Sequence, residues 1–239
     1  MADLVVLPAP AKVTLSLRIT GRRDDGYHLI DAEMVTVDLC DELEIGEGEG
    51  LEVVGESATV SGGDDNLVAR ALALVSRQAH VRLHKRIPAG AGLGGGSADA
   101  AAVLRWGGEL DPAQAATVGA DVPFCVVGGR ARVQGIGEII EPLPFVEGEL
   151  TLLTPPFGCS TVEVYRRWDE LGGPQAAAGG NDLEAAATDV YPALAEFRDE
   201  LRDATGLEPR LAGSGSTWFV EGAFPGEGRR VVRRTPQLT

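Results

Sequence analysis

The run Lys12-Val-Thr-Leu-Ser-Leu-Arg-Ile19 alternates strictly between polar and apolar residues. As a strand it sets Lys12, Thr14, Ser16 and Arg18 on one face and Val13, Leu15, Leu17 and Ile19 on the other, which is the pattern of a half-buried strand. Residues 21–26 read as a turn, and residues 34–39 and 51–54 as further strands, so an antiparallel meander is expected. Leu67, Ala71, Leu74 and Val75 recur at helical spacing within residues 66–79, and residues 81–87 alternate again as a strand. An alanine-rich helix is predicted over residues 97–104, opened by Ser97, a residue type favoured at N-caps. Asp111-Pro112 begins another helix, and residues 122–127 and 130–133 read as a hairpin turned at Gly128-Gly129. The pattern restarts near Gly148 with a strand over 150–154, a helix over 162–171 and a loose glycine-rich stretch over 172–180. A helix over 191–205 and strands at 210–212 and 218–220 complete it, and the arginine-rich residues 230–239 read as a poorly ordered tail. The expected division is into domains 1–148 and 149–239.

At 239 residues the chain is long enough for one large domain or two modest ones, each with a core. Hydrophobic content of 44% with 24% charged residues is that of an ordinary folded protein. No run approaches the roughly 18 apolar residues of a membrane helix, so no membrane partner is expected. The opening Met-Ala-Asp-Leu-Val-Val-Leu-Pro has no basic segment before its short apolar stretch, which excludes a secretory signal and points to the cytoplasm. Cys40, Cys125 and Cys159 are odd in number and widely spaced, as buried free thiols would be. His80 and His84 lack a partnering pattern, and no metal site is assigned to them. A net charge of −15 disfavours a nucleic-acid partner, because phosphate neutralisation needs a basic face. A small anion is a different matter, since a local cluster of amides outweighs distant charge.

Such a cluster is written into Pro88-Ala-Gly-Ala-Gly-Leu-Gly-Gly-Gly-Ser-Ala98, where five of the seven residues from Gly90 to Gly96 are glycine, between a strand-like and a helix-like run. Glycines let backbone amides approach a ligand without Cβ obstruction, and a helix start aims free N–H groups at an anion. A tight turn alone needs only one or two of them. Gly90, Gly92 and Gly95 satisfy the dinucleotide-binding spacing. The preceding strand, however, carries Arg82, His84 and Arg86 on one side, and the expected acidic residue is represented only by Glu109 and Asp111 in a Gly/Pro turn. A Walker loop is excluded because no lysine follows the glycines. Ser97 offers a hydroxyl to a phosphate or metal, or simply caps the helix, and Asp99 complements the helix dipole or stands near a magnesium ion.

Several motifs fall in one order: Pro10-Ala-Lys12, Gly21-Arg-Arg-Asp-Asp-Gly-Tyr-His28, the glycine loop continued through Asp99-Ala-Ala101, Gly119-Ala-Asp-Val-Pro-Phe124, Asn181-Asp-Leu183 and Gly213-Ser-Gly-Ser-Thr217. Together they resemble the GHMP kinase superfamily, and Tyr27-His28 with Gly119 to Phe124 resemble its branch acting on a cytidine diphosphate-linked methylerythritol. The resemblance implies an α+β fold of two domains, the first with a left-handed βαβ unit and the second an α/β sandwich, with the active-site cleft between them. It implies transfer of the γ-phosphoryl group of ATP, with Mg2+, to the C2 hydroxyl of that substrate by a monomer or weak homodimer, in the non-mevalonate route to isoprenoid precursors. Lys12 and Asp121 would be the catalytic pair, and Pro88, Ala89, Gly90, Ala91, Gly92, Leu93, Gly94, Gly95, Gly96, Ser97 and Ala98 would hold ATP. Thr14, Tyr27, His28, Tyr165, Gly213 and Ser214 would meet the substrate, with Tyr27 stacking on the base and His28 reading its edge. Thr14 departs from the asparagine usual in the family. Taken alone, Asp121 also reads as a turn aspartate, Tyr165 as a core aromatic and Gly213 to Thr217 as a plain turn. Two alternatives keep the fold: another acceptor such as homoserine, mevalonate or a sugar, or a nucleotide-binding protein without turnover.

Overall fold

In the computed structural model, residues 4–55, 66–109, 111–174 and 180–238 are described. Strands β1 (Val5–Arg22) and β2 (His28–Gly46) pair antiparallel from Val5 opposite Ile45 to Arg22 opposite His28, forming one long ribbon. The expected meander does not continue. Strand β4 (His80–Lys85) pairs with β2, and β3 (Gly50–Gly55) lies outside it, parallel to β4 and linked to it through helix α1 (Leu67–Leu74). Burying the apolar face of α1 on the sheet requires this crossover, which no hairpin provides.

Strand β1 corrects the half-buried reading. Register shifts fall between Pro10 and Lys12, Thr14 and Ser16, and Ile19 and Gly21. A bulge adds one residue and exchanges the faces beyond it. Val13 and Leu15 therefore join one buried cluster, while Leu17 and Ile19 join another. Both faces of β1 are covered.

Helix α2 (Gly95–Gly107) begins at Gly94, whose φ of +69° makes a left-handed cap. Ser97 therefore lies inside the first turn rather than capping it. Alanines 98, 100, 101 and 102 are buried, and their small side chains let α2 lie close on the sheet. Helix α3 (Pro112–Val118) starts at Asp111 as expected, its side chain capping Ala113 N at 3.0 Å. The predicted hairpin is replaced by helix α4 (Val122–Val127) followed by strand β5 (Arg130–Gly135), which pairs with β2 and with β6 (Ile139–Pro142). A short apolar run has no periodicity that separates a strand from a buried helix, and Pro123 fits a first helical turn.

The second sheet has the order β10-β7-β9-β8. It comprises β7 (Glu149–Leu153), β8 (Arg210–Leu211), β9 (Trp218–Glu221) and β10 (Arg229–Arg233). Helices α5 (Thr161–Glu170), α6 (Glu184–Val190) and α7 (Leu194–Thr205) accompany it. The pattern did not predict α6, and residues 175–179 of the glycine-rich stretch lie outside the described residues. The expected disordered tail is instead strand β10, because Val232 is buried and the chain beyond it bonds back to the first sheet, Thr235 N to Thr36 O at 2.9 Å. Val13, Val35 and Val37 meet Leu150, Phe219 and Val232 in one cluster, which joins the two sheets. No described helix is long and apolar enough to cross a membrane.

Candidate active site

A cleft of about 1080 Å³ opens between the sheets. The glycine loop from Pro88 to Ser97 lines it, together with Lys12, Thr14, Tyr27, His28, Asp121, Tyr165, Gly213 and Ser214. Of the site residues expected from sequence, Ala98 alone does not line the cleft; it lies on the buried face of α2 and donates its N–H to Gly94 O. Because of the bulge in β1, Leu17 rather than Ser16 continues the wall begun by Lys12 and Thr14.

Close backbone approach explains the glycines. A Cβ on Gly92 would stand 2.2 Å from Ala212 O, and one on Gly94 would stand 2.8 Å from Cγ of Lys12. The loop thus packs against the second glycine cluster on one side and over the lysine stem on the other. Lys12 N donates to Leu93 O at 3.0 Å and Thr217 N to Ala91 O at 3.2 Å, so both sheets hold the loop.

Lys12 is 4% exposed, and its ammonium lies 3.2 Å from Asp121 and donates to Thr14 Oγ1 at 3.1 Å. Asp121 occupies the N-cap position of α4, yet its carboxylate caps no backbone N–H, which sets aside the turn-aspartate reading. Thr14 is buried, so in this structure its hydroxyl serves the lysine. Ser214 Oγ lies 2.9 Å from Thr161 Oγ1. Asn181 Nδ2 donates to Leu211 O and Gly213 O, and Asp182 accepts from Ile19 N at 2.8 Å. These contacts tie the second glycine turn to β1.

At the other end of the cleft Tyr27 is 58% exposed, while His28 packs against Tyr165 with ring centroids 4.9 Å apart. Tyr165 is half-buried, packing on the core and lining the cleft. Burial, with a smaller effect from Asp121, pushes its hydroxyl far above the ordinary phenol range.

Sequence reasoning missed the charges under the loop. The buried Lys85 ammonium bonds Asp41 and lies 2.7 Å from Asp99 Oδ2, and Asp41 Oδ1 also accepts from Ile87 N at 2.8 Å. Asp99 therefore pairs with an ammonium while also lining the cleft. Burial pushes its carboxyl up to about 7, Lys85 opposes that rise and Asp41 adds to it. Burial pulls Lys85 down, but Asp99 and Asp41 outweigh it and raise the ammonium above its ordinary value. The one signal in the sequence was that Lys85 is one of only two lysines beside nineteen arginines.

The thiols are free; burial holds Cys125 up to about 12 and Cys159 up to about 11, whereas Cys40 is only half-buried. Glu42, Glu44 and His84 gather their ligand atoms within 4.8 Å, and none of the three lines the cleft.

Residues 66–129 match the family described as GHMP kinases N terminal domain. Over 231 residues the chain is 40% identical to the 4-diphosphocytidyl-2-C-methyl-D-erythritol kinase of Paracoccus denitrificans, covering 88% of this chain and 84% of that protein. The chain belongs to the 4-diphosphocytidyl-2-C-methyl-D-erythritol kinase family. The kinase of the same name from Pelotomaculum thermopropionicum is 38% identical and is covered over 92% of its length, with 95% of this chain matched. The crystal structure of a 4-(cytidine 5'-diphospho)-2C-methyl-D-erythritol kinase superposes with a TM-score of 0.74 at 31% identity, over 96% of this chain and 99% of that one. A mevalonate kinase structure superposes at 0.59 with 13% identity, covering 98% of this chain and 99% of that one, a likeness of fold alone. The family's two-domain α+β fold is the one seen here.

Proposed function

We infer that this chain is a small-molecule kinase that uses ATP to phosphorylate the C2 hydroxyl of 4-diphosphocytidyl-2-C-methyl-D-erythritol, in the non-mevalonate route to isoprenoid precursors. The observation that carries the reading is the Lys12–Asp121 pair at 3.2 Å, held against the glycine loop inside one cleft. In this reading the phosphate chain of ATP lies along residues 88–97, where the Ala212 carbonyl and the Lys12 stem leave no room for side chains at Gly92 and Gly94. A magnesium ion carried on those phosphates spreads their charge, and the half-buried Ser97 hydroxyl at the helix start suits that end of the site.

An alcohol is a weak nucleophile. The Asp121 carboxylate accepts the hydroxyl proton as the new oxygen–phosphorus bond forms and the bond from the γ-phosphorus to the bridging oxygen breaks, leaving ADP. The Lys12 ammonium, oriented by Thr14, stabilises negative charge on the attacking oxygen. Tyr27 and Tyr165 supply aromatic faces for the cytosine, a contact worth roughly 1–3 kcal/mol per base in nucleic-acid proteins, and His28 reads its polar edge. The two lobes divide near residue 148, and the enzyme works in the cytoplasm as a monomer or weak homodimer.

A coupled assay for ADP with the cytidine substrate tests the assignment. Wild-type enzyme is expected to turn over with ATP, and Asp121→Asn to lower kcat by roughly 10²–10⁴ while still binding ATP. Turnover of homoserine or mevalonate in preference to the cytidine substrate would overturn the substrate; unchanged kcat in the variant would remove Asp121 from the chemistry.

A further inference from the structure

Helix α5 brings a carboxylate to the base-reading end of the cleft that no motif singled out. Asp169 stands one turn beyond Tyr165 on that helix, so the two side chains share a face. Its Oδ1 lies 2.8 Å from Nε2 of His28, and its Oδ2 lies 3.3 Å from Arg22 Nη1. The His28 side chain is only 10% exposed, held by Asp169, by Tyr165 at 4.9 Å and by Trp168 edge-on at 5.7 Å. Trp168 is itself anchored through Nε1 to Pro174 O at 2.8 Å. Arg22, His28, Tyr165 and Asp169 all line the cleft.

An ionised carboxylate can only accept hydrogen bonds, so the ring nitrogen facing Asp169 must carry the hydrogen. In a neutral imidazole the other nitrogen, Nδ1, is then an acceptor. Nδ1 makes no hydrogen bond among the described residues. We propose that Asp169 is a specificity-determining positioning residue, which holds His28 in the tautomer whose free nitrogen accepts from an exocyclic amino group. Cytosine presents an amino donor at C4, whereas uracil presents a carbonyl acceptor there, which would face the acceptor nitrogen lone pair to lone pair. The proposal rests on the reading that His28 meets the base.

Cytidine and uridine 5'-monophosphates, as competitive inhibitors against the cytidine substrate, supply the test. Wild-type enzyme is expected to favour the cytidine nucleotide at least about tenfold, within what a well-matched polar contact gives. Asn at 169 both donates and accepts, so Asp169→Asn frees either tautomer and should reduce that preference to within about threefold. In that variant KM for the cytidine substrate should rise and KM for ATP should stay put. Arg22→Gln, which removes the other partner of Asp169, should keep the preference. The chain has three histidines, so imidazole nitrogen NMR on wild type can assign the protonated Nε2 of His28 directly. An unchanged preference in Asp169→Asn, alongside loss of preference in His28→Ala, would overturn the role of Asp169 alone. Retention in both variants would also overturn the reading of the base by His28.

Discussion

Asp99 shows how much a single burial decision carries. Two carboxylates share one ammonium beneath the glycine loop. Because burial raises the folded-state pKa of Asp99 to about 7, well above its unfolded value near 3.8, folding favours its protonated form. Its contribution to stability is therefore fully present below the unfolded value and is lost by about 1.4 kcal/mol per pH unit as pH rises from there to about 7, above which both states are ionised and the slope vanishes. Lys85, raised as well, loses its contribution only in the alkaline range, outside this window. Calorimetry from about pH 4.5 to 8.5 should show the wild-type Tm declining relative to that of Asp99→Asn up to about pH 7 and running parallel to it above; parallel profiles throughout would contradict this. At this scale little was legible in advance. Lys12 and Asp121 stood out only through the family resemblance, since a strand lysine and a turn aspartate are ordinary taken singly. Asp169 carried no signal, because its partner His28 lies 141 residues away.

Among the elements, the glycine loop was the most readable and its reasons are now divided. At Gly92 a side chain meets both a left-handed φ of +73° and the Ala212 carbonyl, whereas at Gly108 a φ of +80° is accompanied by open space. Gly108→Ala should cost about 1 kcal/mol by urea denaturation and leave KM for ATP where it was. Gly92→Ala should cost more and raise KM for ATP at least about tenfold, because the loop must shift from the second glycine turn. Equal effects of the two would show that strain, rather than the shape of the loop, sets the cost. Strand β1 and helix α4 mark where periodicity misled. Alternation was real in β1, but a bulge exchanged its faces, and six apolar residues before Gly128 carried no period long enough to exclude a helix.

Across the whole molecule, the C-terminal residues close the structure. Strand β10 pairs with β7 and places Val232 in the cluster between the sheets, while Arg233 N donates to Asp38 Oδ1 at 2.9 Å. The cleft walls come from both sheets, so this closure supports the site from behind. Val232→Ala should lower stability by about 1–3 kcal/mol, read as a shift in the guanidinium midpoint at constant m. No shift would mean that the segment is frayed in solution, as its arginine-rich composition had suggested.

What the sequence determined by itself was local: the helices α5 and α7, the helix start at Asp111, and a loop whose glycine density points to close backbone approach. Those features depend on neighbours within a turn or two of chain. Tertiary structure alone decided which face of β1 meets the cleft, how β4 comes between β2 and β3, and which carboxylates reach Lys12, Lys85 and His28. Each of these depends on a bulge, a crossover or a charge pair between distant segments, where free energy comes from burial shared across the fold and leaves no periodic trace in either partner.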